Sequence, residues 1–215
     1  MLERFTWYQQ SAYLWRGEGM EVYLDPWGLT GELPEADVIF ITHAHEDHFS
    51  NEDIEKIRKD GTLIVAPRDV ANELSGNVTP VAPGDSGEAG GIKYQSVPAY
   101  NVAEERLEMH PKANNWVGYI LTLGDTSYYH AGDTDHAPEL DDVRAEVAFL
   151  PVGGTYTMDV PEAAGLAKAI SPQLAVPMHY GFFEGAGTKG DGEAFRQAAD
   201  PVKVEVLTPV NPFKY

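Results

Sequence analysis

The segment that most restricts this chain is a buried-strand pattern that ends in a cluster of imidazoles. Val38–Thr42 reads VIFIT, a β-branched and aromatic run, and it stops abruptly at His43-Ala44-His45-Glu46-Asp47-His48. Three imidazoles and a usable carboxylate within six residues are costly to place as filler. A chain leaving a strand end in a tight turn can aim His43 and His45 at one point while Asp47 and His48 face a neighbouring one, so two metal ions can sit a few Å apart. The pattern recurs. Tyr128–His130 runs into Ala131-Gly132-Asp133-Thr134, and Ala175–Met178 runs into His179-Tyr180-Gly181. Each time a hydrophobic strand delivers a ligand-type side chain at its carboxyl end, which is how α/β proteins assemble a site at one sheet edge. Asp133 can then bridge both metals with one carboxylate, and His179 can complete the second site beside Asp47 and His48.

The rest of the chain supplies a scaffold for that edge. Phe5–Tyr8, Tyr13–Arg16, Val22–Leu24, Leu63–Ala66, Ile92–Val97, Val147–Pro151, Leu174–Pro177 and Val204–Leu207 read as strands, and Gly124–Asp125 marks a hairpin between Trp116–Leu123 and Thr126–His130. Ser50, with Asp53 three residues on, has capping-box spacing and opens a helix that buries Ile54 and Ile57 and closes by Gly61. Arg68–Leu74, a segment opening near Pro161 and Glu162, and Glu193–Ala199 read as further helices, with Ala163, Leu166, Ala167 and Ile170 as an ordinary core stripe. Hairpins first and strand–helix alternation later predict an α/β sandwich with helices covering sheet. At 215 residues, 43% of them hydrophobic, the chain fills one domain spanning 1–215.

Charge and cysteine content exclude several functions. Thirty-four acidic against 15 basic side chains give −19, a field that repels nucleic acid and anionic membranes. Without cysteine there are no disulfides, thiolate ligands or cysteine nucleophiles. No apolar run approaches the roughly 20 residues of a membrane span, and no signal-type core follows Glu3 and Arg4, so the expectation is a cytoplasmic protein acting on a small molecule.

His43-x-His45-x-Asp47-His48, then Gly132-Asp133-Thr134, then Met178-His179-Tyr180-Gly181, resembles the metallo-β-lactamase fold superfamily in order and spacing over nearly the whole chain. Leu150–Asp159 (LPVGGTYTMD) and Val176–Gly181 (VPMHYG) are similar to its metal-dependent hydrolase branch, near the ascorbate-6-phosphate lactonases. The resemblance implies a four-layer αβ/βα sandwich with a dinuclear site at its edge, usually zinc and sometimes manganese or iron. It leaves the substrate open.

One position departs from the family. The superfamily generally supplies a further His to the first metal, yet the matching strand end reads Pro98-Ala99-Tyr100-Asn101. His110, nine residues beyond Asn101, can reach back as the replacement ligand; otherwise a water or Asn101 fills the place, or His110 is a surface loop residue. The resemblance makes Asp25 a carboxylate that orients a ligand His, where the residues alone allow a turn before Pro26. His130 reads as a support rather than a ligand, and His136 as solvent-exposed. Gly153–Thr157 can offer backbone N–H groups to an anion or simply permit a tight turn. Tyr100 and Tyr180 can donate to a developing oxyanion or pack beside a strand end.

These residues predict a metal-dependent hydrolase. Two divalent ions sharing Asp133 and a bridging water lower the pKa of that water toward neutrality, giving a hydroxide that attacks an ester, lactone or phosphate ester while Asp47 shuttles the proton. Rival readings are a metal-stabilised binding or sensor module and an iron-dependent oxidoreductase of the same fold.

Overall fold

The computed structural model describes residues 1–215. Its first sheet runs in chain order, β1 (Phe5–Gln9), β2 (Ala12–Gly17), β3 (Met20–Leu24), β4 (Val38–Phe40), β5 (Leu63–Pro67) and β6 (Asn77–Val81). Strands β1 to β3 pair antiparallel and β3 to β6 parallel. The second sheet repeats the plan. Its members β7 (Ser86–Ala89), β8 (Ile92–Pro98), β9 (Val117–Leu123) and β10 (Thr126–His130) are antiparallel, and β11 (Val147–Pro151) and β12 (Leu174–Met178) add in parallel beside β10.

Strand alternation decides what each sheet face covers. Ile39, Ile41, Ile64 and Ala66 cluster with Ile54 and Ile57 of α1 (Asn51–Ile57) and Val70 of α2 (Arg68–Glu73). Val38, Phe40 and Val65 turn the other way into the main core, where Phe40 meets Tyr119 of the second sheet with ring centroids 5.2 Å apart. A residue such as Phe40, fully buried, contributes about 1.5–3 kcal/mol relative to exposure. α3 (Val160–Ile170) and α4 (Asp191–Ala198) pack on β11 and β12, completing the four-layer αβ/βα order. Ala163, Leu166, Ala167 and Ile170 are buried as the stripe predicts.

Caps set the helix starts. Ser50 Oγ accepts from Asp53 N at 3.2 Å, and Asp159 Oδ1 accepts from Glu162 N at 2.9 Å. Three elements differ from the sequence reading. β6 and β7 were not anticipated, since Pro80 and Gly87 interrupt strands that are largely exposed. Val204–Leu207 is no strand: it touches the sheet through a single parallel bridge, Ala175 to Val204, and is otherwise half-exposed chain at the β12 edge.

Register positions the site. Leu24 pairs with Phe40, which sets Asp25 beside the continuation of β4, and Asp25 N donates to Phe40 O at 2.9 Å. Across the sandwich Val117 N donates to Thr42 O at 3.1 Å, drawing the carboxyl ends of both sheets together.

Candidate metal centre

His43 and His48 emerge from the end of β4 in a turn closed by His48 N and Phe49 N donating to His45 O at 3.0 and 2.8 Å. Asp25, fully buried, accepts from Thr42 N and Thr42 Oγ1, both at 2.7 Å, and from His48 Nδ1 at 2.7 Å. Thr42 has given its one hydroxyl proton to Asp25, so it accepts from His43 Nδ1 at 3.0 Å. Both imidazoles are thereby fixed with Nε2 free. The orienting role that the resemblance gave Asp25 matches these bonds.

Gly132 has φ +64, and a Cβ there would lie 3.0 Å from Thr42 Cβ and 3.1 Å from Val117 O. Its absence lets Asp133 fold across the end of β4. His179 ends β12 at φ +58, an uncommon conformation for a side-chain residue, and its N–H is held by Gln10 O at 3.1 Å.

The remaining ligand-type residue comes from the segment after β8. His110 is buried, and both its backbone N and its Nδ1 donate to Asn101 Oδ1, at 3.0 and 2.8 Å. Asn101 Nδ2 in turn donates to Asp135 Oδ1 at 2.8 Å. Asn101 therefore holds His110 and has no oxygen lone pair directed into the cluster, while His110 Nε2 faces Asp133 Oδ2 at 3.3 Å.

The ligand atoms gather into overlapping groups: His43, His45 and His110; His43, His48 and Asp133; and Asp47, His48 and His179. Asp133 Oδ2 lies 3.3 Å from His110 Nε2 and 3.0 Å from His179 Nε2, and its Oδ1 lies 3.2 Å from His48 Nε2. His43 Nε2 and His45 Nδ1 are 3.2 Å apart, and His179 Nε2 and Asp47 Oδ2 are also 3.2 Å apart. Atoms bound tetrahedrally at Zn–N distances of about 2.0–2.1 Å would be separated by roughly 3.3 Å. His48 Nε2, His110 Nε2 and Asp133 Oδ1 are buried with no hydrogen-bond partner despite these approaches. Buried polar atoms left so are costly, and cations held by the His110-containing and His48-containing groups would satisfy them. The donor set fits divalent metal.

Charge within the cluster is arranged in pairs. Burial and the neighbouring His48 push His43 well below the ordinary imidazole value, and burial likewise lowers His45. Burial acts downward on His48 and His179 too, but the carboxylates of Asp133 and Asp47 outweigh it, raising His48 well above the ordinary value and His179 to about 9. Asp47 and Asp133 resist the upward push of burial through those same imidazoles and stay well below the usual carboxylate range.

Other sequence candidates lie elsewhere. His130 is buried against Ser11 O, to which Nε2 donates at 3.0 Å, and braces the first hairpin. His136 is half-buried rather than exposed, with Nε2 bound to Asp141 Oδ1 at 2.6 Å. Tyr100 OH donates to Glu139 at 2.8 Å, away from the cluster, and Tyr180 OH is buried in the aromatic core. Within the Gly153–Thr157 segment, Gly154 N donates to Met158 O and Thr155 N to Gly153 O, at 3.0 and 3.1 Å, so these two amides are taken by the turn itself. Gly153 is required because a Cβ would sit 2.3 Å from His179 O. Sequence reasoning missed Gln10, whose Nε2 lies 3.4 Å from Asp47 Oδ2. It sits in a hairpin turn at φ +46, and no motif marks it.

A cleft of about 350 Å³ opens over the cluster. His45, Asp47, His110, Asp133 and His179 form its floor; Met109, Tyr156, Phe183 and Glu184 form its walls.

Residues 4–179 match the model of the Beta-lactamase superfamily domain. A UPF0173 metal-dependent hydrolase of Methanopyrus kandleri is 30% identical, with 94% of each chain covered. Among solved structures, a metallo hydrolase from Ignicoccus hospitalis superimposes with a TM-score of 0.78 at 26% identity, covering 95% of this chain and 94% of that one. A Parabacteroides distasonis structure assigned to the metal-dependent hydrolases reaches 0.84 at 30% identity, covering 94% and 91%. The strand-end histidines and carboxylates, the four-layer fold and these likenesses agree: the chain belongs to the Beta-lactamase superfamily domain family and, within it, to the UPF0173 metal-dependent hydrolases.

Proposed function

We propose that this hydrolase cleaves an ester, lactone or phosphate-ester bond of a small molecule at a centre of two divalent cations, zinc first among them, with manganese and iron as the alternatives. The observation that carries this reading is the position of Asp133, whose one carboxylate approaches His110 and His179 through Oδ2 and His48 through Oδ1. It stands between the His43, His45, His110 group and the Asp47, His48, His179 group. Divalent cations held by these residues would supply an acidified water and polarise the bond under attack.

The chain's own side chains do the rest. Asp47 turns Oδ2 toward Gln10, His48 and His179, so Oδ1 is left for the cleft. That oxygen can take a proton from the attacking water and return it to the leaving group. His43, His48 and His110 are locked by Thr42, Asp25 and Asn101, so nothing need reorganise when substrate arrives. The open cleft favours catalysis over a purely structural or sensing metal, which would close its coordination.

Elemental analysis of the metal-replete protein tests the stoichiometry: two ions per chain are expected, falling by about one in His48→Ala. Asp133→Asn keeps the volume and weakens the bridge, so turnover of any substrate found on a panel of lactones, esters and phosphate esters should fall by orders of magnitude. One ion per chain in the wild type, or full turnover in Asp133→Asn, overturns the dinuclear reading.

A further inference from the structure

The cleft over the metal centre carries a charge and polarity of its own. Its walls are Met109, Tyr156, Phe183 and Glu184, and Trp27 backs Phe183 with ring centroids 5.3 Å apart at an interplanar angle of 28°. Met109 is 42% exposed although apolar, a surface waiting to be covered. No lysine or arginine lines the space.

The cations that flank His110 in sequence are already committed. Arg106 donates to Asp135 Oδ1 at 2.6 Å, to Gly154 O at 3.1 Å and to Glu162 Oε2 at 2.5 Å. Lys112 binds Glu139 and Tyr100 OH, each at 2.9 Å. Two amides of the neighbouring glycine turn and the start of the following helix are committed too. Gly154 N and Thr155 N are spent inside their own turn, and the start of α3 is capped by the Asp159 carboxylate. Those are the features that elsewhere cradle phosphate. Meanwhile Asp47 and Asp133 on the floor offset much of the charge that divalent cations bring, Glu184 adds a carboxylate at the exposed mouth, and the whole chain carries −19.

We propose that the substrate is an uncharged carboxylic ester or lactone bearing an alkyl or aryl group, that Met109, Tyr156 and Phe183 hold this group, and that Glu184 turns anions away. This rests on the hydrolase reading above and narrows it, setting phosphate esters aside. At about 350 Å³ the cleft lies near the lower end of ligand pockets, so the substrate is small. In the reaction, water oxygen bonds to the acyl carbon, the acyl carbon–oxygen bond breaks, one water proton passes to the departing alkoxide, and the other leaves to solvent as the acid ionises. The products are a carboxylate and an alcohol, or one hydroxy acid from a lactone. The carboxylate so formed meets the repulsion of Glu184, which favours its release.

The test uses the metal-loaded full-length chain with p-nitrophenyl butyrate, mono-p-nitrophenyl succinate, a neutral alkyl lactone, p-nitrophenyl phosphate and bis(p-nitrophenyl) phosphate. Butyrate and succinate esters present the same leaving group and differ by one charge. The neutral ester or lactone should exceed the succinate ester and both phosphate esters in kcat/KM by at least about tenfold. Glu184→Lys alters the charge at the mouth by two units, which at about 10 Å in water raises kcat/KM for the succinate ester about fourfold. Glu184→Gln should give about half that effect on a logarithmic scale, the butyrate ester should change less than twofold in either variant, and the gain should vanish in high salt. Phe183→Ala should raise KM for the butyrate ester and leave kcat in place. Preference for either phosphate ester, or equal gains for both carboxylic esters in Glu184→Lys, overturns the proposed selectivity and leaves the hydrolase reading intact. Turnover of no panel member overturns both.

Discussion

Asn101 and His110 are joined three times: His110 N and Nδ1 donate to Asn101 Oδ1 at 3.0 and 2.8 Å, and Asn101 N donates to His110 O at 2.9 Å. The side-chain amide thus selects the imidazole tautomer whose Nε2 is unprotonated and turned toward Asp133.

Loss of that amide should act through the imidazole it holds. Asn101→Leu is expected to weaken one metal per chain by about 10–100-fold while leaving the other in place. His110→Ala should remove the same ion, and the double variant should lose no more than His110→Ala alone. Competition titration with a chelating indicator reads all three. Loss of both ions together from His110→Ala would show that His110 does not serve one site.

Asp25 supports His48 in the same manner but also closes the strand end through Thr42. Asp25→Asn can accept fewer of these three bonds, so both metal affinity and fold stability should fall, the latter by about 1–3 kcal/mol. Chemical denaturation in excess chelator isolates the stability part; metal titration of the folded variant isolates the rest.

Gln10 offers a contrast, because its side-chain amide touches Asp47 while its backbone oxygen holds His179. Gln10→Ala keeps the backbone bond and removes the amide. Metal content should persist, and kcat should fall about tenfold as Asp47 loses its orientation. An unchanged kcat would show that His48 and His179 alone position Asp47.

Acidity of the cluster gives a signed prediction. With His179 raised to about 9 from an ordinary 6.5, its protonated form stabilises the metal-free protein fully below 6.5, and that contribution disappears as pH rises through 9. Metal must displace this proton, so its affinity climbs over the same interval. The difference in Tm between metal-loaded and chelator-treated protein should therefore widen from pH 6.5 to 9. Calorimetric metal titrations near pH 7.5 in buffers of different ionisation enthalpy should show protons released. A constant Tm difference, or no release, contradicts this arrangement.

What the sequence revealed depended on whether a role is local. His43 to His48 stand within one turn, and Asp133 and His179 each follow an apolar run, so strand-end delivery exposes them without coordinates. Gln10 cannot be seen that way, because its partners Asp47 and His179 are brought to it only by the pairing of distant elements. Asn101 stands at the strand end, and the sequence leaves open whether Asn101, a water or His110 fills the ligand place; the bonds from His110 to Asn101 Oδ1 form only in the folded loop. Strands β6 and β7 escaped because exposed edges need no apolar alternation, and Val204–Leu207 misled because its apolar residues pack on the β12 edge without extending the ladder.

The candidate ligands are divided between the sheets: His43, His45, Asp47 and His48 leave the first, whereas His110, Asp133 and His179 leave the second. A cation that engages both groups fastens the two halves of the chain to each other, and an unfolded chain has no equivalent place to bind it. Each tenfold rise of free metal above its Kd then adds about 1.4 kcal/mol to the folded state. Resistance to heat and proteases should then follow the metal supply around the molecule.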